Sequence, residues 1–416
     1  MTTPHPTSRP TSPISEFARY LRTETVGGVI LLVATAIALI WANSPWSDVY
    51  QTLRDTVVGP SALNLDLSLA TWAKDGVLAI FFFVVGLELK RELVVGELSS
   101  PRKALLPVAA ALGGMIGPAL IALAVGRGAP GMEQAWAIPV ATDIAFALGV
   151  LALAGSAVPV TARVFLLGVA VADDLLAILL IAVLFSSGLK LLAVAGAVAG
   201  ALLYWWLQRR RVTAWWIYVP LALAVWVAVH EAGVHATIAG VLLGVLTRVK
   251  PDPGEHEAPA IRLEHRLQPL SAGLCVPVFA FFAAGVPVGA EALGRVFGEP
   301  VPLAVMAGLL FGKIIGIMGA SWLAIRFTPA ERPRGLVWSD MAAVSMLGGV
   351  GFTVSLLIAE LSLADQDPTI LEAAKAGVLI ASALAAIIAS LMLLRRGRAR
   401  GDGSRDPADA APDQPG

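Results

Sequence analysis

The chain is predicted to be an all-α polytopic membrane protein of about twelve transmembrane helices, and three observations predict it. Of its 416 residues, 57% are hydrophobic and 14% charged, too few polar side chains to cover a soluble protein of this size. Apolar runs near the ~20 residues needed to cross hydrocarbon recur from end to end. The basic residues alternate between loops. With the N-terminus inside, 23 fall on the cytoplasmic side, 6 on the external side, and Lys313 lies within a span, which is the asymmetry that sets orientation.

The spans are read at 25–42, 71–89, 104–125, 136–153, 161–185, 189–207, 214–230, 234–248, 270–290, 301–325, 338–361 and 373–394. They form one transmembrane domain over residues 15–396, flanked by polar tails at 1–14 and 397–416 that are expected to be disordered. Met1 to Pro13 has no apolar stretch and is not a cleavable signal. Both termini are expected in the cytoplasm. In the first external loop, Leu63-Asn64-Leu65-Asp66-Leu67-Ser68-Leu69 alternates strictly after Gly59-Pro60, so a short strand of a surface hairpin is predicted there. Such an edge can pair with a second copy, making residues 50–69 a candidate homodimer contact.

The fourth span is interrupted by Ala141-Thr142-Asp143-Ile144-Ala145, where Thr and Asp suit the start of a second half-helix. The eleventh is interrupted by Gly348-Gly349-Val350-Gly351-Phe352-Thr353. Breaks in corresponding places of two halves point to an inverted repeat whose crossing holds an ion site.

Four ionisable residues lie in apolar surroundings: Asp143, Asp173, Asp174 and Lys313. Each costs on the order of 2.5–3.5 kcal/mol to insert, so each implies a partner or a task. Three carboxylates and one ammonium leave a surplus of −2, which protons or a metal cation can relieve. Adjacent on a helix, Asp173 and Asp174 project about 100° apart, so one can meet a neighbouring cation while the other lines a cavity. Lys313 lies within a row of small residues, Gly308, Gly312 and Gly316, that admits a closely packed helix. Pairing of Lys313 with one of the two aspartates is expected. These groups are the minimal equipment of a cation/proton exchanger.

Several stretches together resemble the NhaA family of sodium/proton antiporters: Phe83 to Leu93, Ala137 to Leu148, Asp173-Asp174, Gly233-Val234-His235-Ala236-Thr237, Arg262-Leu263-Glu264-His265, Gly312-Lys313 and Gly351-Phe352-Thr353. The resemblance spans roughly residues 15 to 396 in consistent order. It implies an electrogenic secondary antiporter of the bacterial inner membrane, often a homodimer, that exports Na⁺ or Li⁺ against inward H⁺ without a cofactor. It implies Asp174 as the main ion ligand, with Asp173 beside it and paired to Lys313 when the site is empty. Thr142 and Asp143 would compensate charge at the crossing. Glu88, Glu92, Arg262, Glu264, His265 and His235 match positions tied to pH response. This chain has Gln268 where a second histidine can follow His265.

Other classes fit less well. His230-Glu231-Ala232-Gly233-Val234-His235 spaces its histidines five apart, whereas a zinc site on one helix face needs four. The segment before Lys313 lacks the spacing and the Ser/Thr of a phosphate loop. The lone Cys275 excludes an intrachain disulfide. Zero net charge gives no field for nucleic acid. A symporter using the same carboxylates is the alternative to antiport.

Overall fold

The computed structural model describes residues 24–153, 160–186, 188–251, 255 and 257–403. The expected N-terminal tail and the last part of the C-terminal one lie outside these residues. The chain is helical almost throughout, as its apolar runs require. Where backbone groups cannot bond to water, a helix is the one open-chain structure that satisfies them all.

Among the described residues, seven helices are long and apolar enough to cross a membrane, and up to nine if each of two bent pairs counts once. The expected twelve are not all reached by that measure. Trp215–Glu231 and Thr237–Leu246 are apolar but short, and the helix Leu78–Val94 carries Glu88, Lys90, Arg91 and Glu92 in its final turns. The first span, Glu24–Ala42, is followed at a bend of 116° by the short helix Ser47–Asp55.

The hairpin is present, with a different outline from the expected seven-residue alternation. Val57–Val58 pairs antiparallel with Leu67–Ser68. Between them Ser61–Leu63 forms one tight turn and Asn64 adopts a left-handed backbone, φ 51°. That conformation suits Asn better than most residues and ends strand geometry at 64, leaving Leu65 buried in a cluster with Val225 and Trp226.

Two helices form the spine of the site. Pro101–Val125 runs beside Lys313–Phe327, and glycines meet glycines: a Cβ on Gly113 would strike the carbonyl of Gly316, and one on Gly117 would meet Gly312 and Gly316. The small-residue row seen in the sequence is therefore a backbone-to-backbone contact. Just before Lys313, over Gly308–Gly312, the helix widens to π-type turns, a local expansion common at functional positions.

The fourth and eleventh spans break as expected. Residues 141–143 are extended between a short turn at Ile138–Val140 and the half-helix Ile144–Leu153. Residues 348–351 separate Trp338–Leu347 from Phe352–Ser362, with a bend of 48°. The fifth span, Val160–Leu184, runs unbroken through Asp173 and Asp174.

Candidate ion-binding site at the crossing of two broken helices

The two breaks lie against each other. The backbone N–H of Asp143 donates to the carbonyl of Val350 at 2.7 Å, and Thr142 Oγ1 donates to that of Gly348 at 2.8 Å. Extended backbone inside a membrane protein must find such partners, because none is available from lipid. Asp143 then serves both half-helices. Its Oδ1 accepts from the N–H of Phe146, in the first turn of its own helix. Its Oδ2 accepts from the N–H and the hydroxyl of Thr353, in the first turn of the other. Two positive helix ends thus converge on one carboxylate, and a negative charge is favoured at each. The rings of Phe146 and Phe352 pack 5.2 Å apart beside it.

Lys313 Nζ donates to Asp173 Oδ2 at 2.9 Å, with both side chains almost wholly buried. The other oxygen, Oδ1, is buried without a hydrogen-bond partner among the described residues. Asp174, one residue on, is only partly buried. Between Asp173 and the crossing lies a cavity of about 10 Å³, bordered by Thr142, Ser345 and Gly348 with apolar side chains around them; that is room for roughly one water. Asp173 and Thr142 thus border one small shared space, with Asp174 next to Asp173 on the same helix.

The profile of the Na⁺/H⁺ antiporter 1 family matches residues 18–393. The chain belongs to that family. Among its relatives, the Na(+)/H(+) antiporter NhaA of Nocardia farcinica is 62% identical over 96% of this chain and 95% of its own length. NhaA 1 of Saccharopolyspora erythraea is 63% identical over 92% of each chain, and NhaA 2 of Rhodococcus jostii 61% over 92% and 94%. A solved sodium proton antiporter from Methanocaldococcus jannaschii is 13% identical, with a TM-score of 0.49 over 92% of this chain and 98% of that one.

In this member of the Na⁺/H⁺ antiporter 1 family the residues expected to respond to pH do not form one cluster. Arg91 stands at the centre of one group: Nη1 meets Glu264 Oε1 at 2.5 Å, and Nη2 lies 3.4 Å from Glu92 and 3.8 Å from Glu88. Arg262 pairs with Glu255, and the exposed His265 with Glu257. His235 sits elsewhere. Its Nε2 lies 3.5 Å from Asp75 Oδ1, and Asp75 precedes Arg91 by sixteen residues, or about 24 Å along a helix. His235 therefore lies at the opposite end of that helical stretch from Glu264. A motif resemblance gathers residues without regard to depth, which is why the sequence grouped them.

Sequence reasoning missed three groups. Arg91 was visible only as one charge of a solvated helix end. Asp340, wholly buried, receives Arg396 Nε at 3.3 Å. Glu360 receives the buried Lys375 at 3.0 Å, although the alternation of basic residues had assigned Lys375 to an external loop. Asp340 and Glu360 fall near the ends of the eleventh span, where a charge draws little notice.

Proposed function

We propose that this chain is an electrogenic secondary antiporter that exports Na⁺, and Li⁺, in exchange for protons across the bacterial inner membrane. The observation that carries the reading is the asymmetry of the aspartate pair: Asp173 is paired with Lys313, while among the described residues its neighbour Asp174 has no ion-pair partner. One cation can neutralise Asp174 and recruit Asp173 by displacing the ammonium. Protons arriving from the other side discharge the cation and restore the Lys313 pair. Both ions compete for the same oxygens, so one leaves as the other binds. Asp143 and Thr142 hold the crossing at fixed charge while this happens.

On this reading residues 15–396 form the transport domain, both termini face the cytoplasm, and the lipid bilayer is the solvent of the exposed apolar faces. The hairpin within residues 50–69 presents a free edge to a second copy and supports a homodimer. The group around Arg91, with Glu88, Glu92 and Glu264, adjusts exchange to cytoplasmic pH, while Arg262 and His265 bear on it through Glu255 and Glu257. The reaction is transport, with no covalent chemistry.

The test is collapse of an acid-inside ΔpH in everted vesicles on addition of Na⁺ or Li⁺. Cation-dependent proton efflux with vesicular accumulation of Na⁺ is expected. Proton and cation moving in the same direction would make the chain a symporter.

A further inference from the structure

The half-helix Phe352–Ser362 begins without a cap of its own. Gly351 precedes it and has no side chain, and a Cβ there would strike Oγ of Ser355. The first N–H groups of any helix lack partners within it, and lipid offers none. Two of them are met from elsewhere in the fold. The N–H of Thr353 donates to Asp143 at the crossing. The N–H of Phe352 donates to Oγ of Ser382 at 3.1 Å. Ser382 belongs to the last helix, Pro368–Gly403, and is buried. The exchange described above assigns it no task.

Ser382 shares its face of the last helix with two charged residues. Lys375 lies seven residues before it and Arg396 fourteen after, and a helix drifts only about 20° in seven residues. All three reach the same broken span. Lys375 pairs with Glu360 near the end of Phe352–Ser362, and Arg396 pairs with Asp340 in the first turn of Trp338–Leu347. These outer ties stand about 31 Å apart along the last helix, and Ser382 is the one between them that meets the break. Close by, a Cβ on Gly349 would lie 3.4 Å from the side chain of Ala385, so small residues of the last helix border the break on this side.

The backbone at the contact is unusual. Phe352 has a φ of 20°, outside the regions that a bulky residue ordinarily occupies. A conformation of this kind persists where its surroundings hold it. Ser382 holds the N–H of Phe352, and the ring packs against Phe146.

We propose that Ser382 is a positioning residue for the ion site. By fixing the N–H of Phe352 it sets where the next residue, Thr353, meets Asp143. The crossing beside Asp173 is thereby ordered before a cation arrives, which spares binding the cost of ordering it. Ser382 acts through Phe352 and Thr353 and is not itself a ligand. The inference rests on the antiporter reading given above.

The experiment measures Na⁺/H⁺ exchange by full-length protein in proteoliposomes, as the apparent KM for Na⁺ and the maximal rate, with the melting temperature of each variant beside them. Ser382→Ala removes the acceptor and should raise KM severalfold with a maximal rate close to wild type. Ser382→Cys, of similar size and a weak acceptor, should do the same, which separates loss of the bond from loss of volume. Ser382→Thr keeps the oxygen and should return KM toward wild type. Ser390, on the same helix, bonds only the carbonyl of Ala386 one turn before it, so Ser390→Ala should leave KM unchanged. A wild-type KM in both the Ala and the Cys variants overturns the proposal, even if they melt lower. So does an equal rise in Ser390→Ala, or a KM in Ser382→Thr as high as in Ser382→Ala when the two melt alike. Wild-type protein that does not exchange Na⁺ for H⁺ would instead overturn the reading beneath it.

Discussion

Lys313 holds one oxygen of Asp173 at 2.9 Å and leaves the other without a hydrogen bond among the described residues. The ammonium therefore satisfies half of its partner. On the proposed reading, that second oxygen is the one a cation would recruit, and the lysine would have to yield for it to bind.

Replacing Asp174 by Asn keeps its shape and removes its charge. Na⁺-dependent collapse of ΔpH should fall to background while thermal stability stays close to wild type, because no hydrogen bond of the described fold is lost. Exchange at the wild-type rate would place the cation elsewhere.

Lys313→Ala leaves Asp173 buried without its counter-ion, which costs on the order of 3–5 kcal/mol. The detergent-solubilised protein should melt several degrees lower. Adding Asp173→Asn to that variant should recover much of the loss, since a neutral amide tolerates the site. A double variant no more stable than the single one would mean that the two charges do not stabilise each other.

Asp143→Asn keeps the shape of the side chain but removes the negative charge at two helix ends. Each end should lose about 0.3–1 kcal/mol of dipole stabilisation. Thr353→Val removes only the hydroxyl contact and should cost about 1 kcal/mol. Melting temperatures should therefore rank wild type, then Thr353→Val and Asp143→Asn below it, with transport falling alongside. Unchanged stability in Asp143→Asn would show that the crossing does not depend on its charge.

Arg91→Gln takes the shared cation from Glu88, Glu92 and Glu264. The three carboxylates are left to repel one another, and protons relieve that repulsion. Half-maximal exchange should move toward alkaline pH with maximal rate retained. A rate reduced equally at every pH would make Arg91 a structural residue.

Electrogenic exchange, as proposed, moves net charge in every cycle. In proteoliposomes with no initial ΔpH, an imposed potassium diffusion potential should drive Na⁺, each charge gaining ~2.3 kcal/mol per 100 mV. Insensitivity to potential would mean one-for-one exchange.

Much of the site is legible in the chain because hydrocarbon makes polar residues conspicuous. Thr142-Asp143 and the glycines at 348, 349 and 351 mark breaks, since an apolar run has no other use for them. Lys313 had to find a carboxylate, and it found Asp173. What could not be read are pairings whose members each look ordinary. Glu360 and Asp340 stand near span ends, where an isolated charge is cheap, and only tertiary packing shows that both are enclosed. Arg91 reads as a solvated helix end until Glu264 arrives from 173 residues away. The π-type widening before Lys313, where Gly312 lies against Pro118, has no counterpart in composition or periodicity.

The contact between Gly113, Gly117 and their counterparts Gly312 and Gly316 acts as a depth gauge. The two backbones touch where these glycines meet, since a Cβ on Gly113 or on Gly316 would strike the facing carbonyl. A slip of one turn would displace Lys313 by about 5.4 Å along the bilayer normal, farther than an ammonium can reach and still hold Asp173. The glycines therefore calibrate the height of the charge. A single methyl group at Gly316 is expected to detune the site without touching any residue that meets the ion.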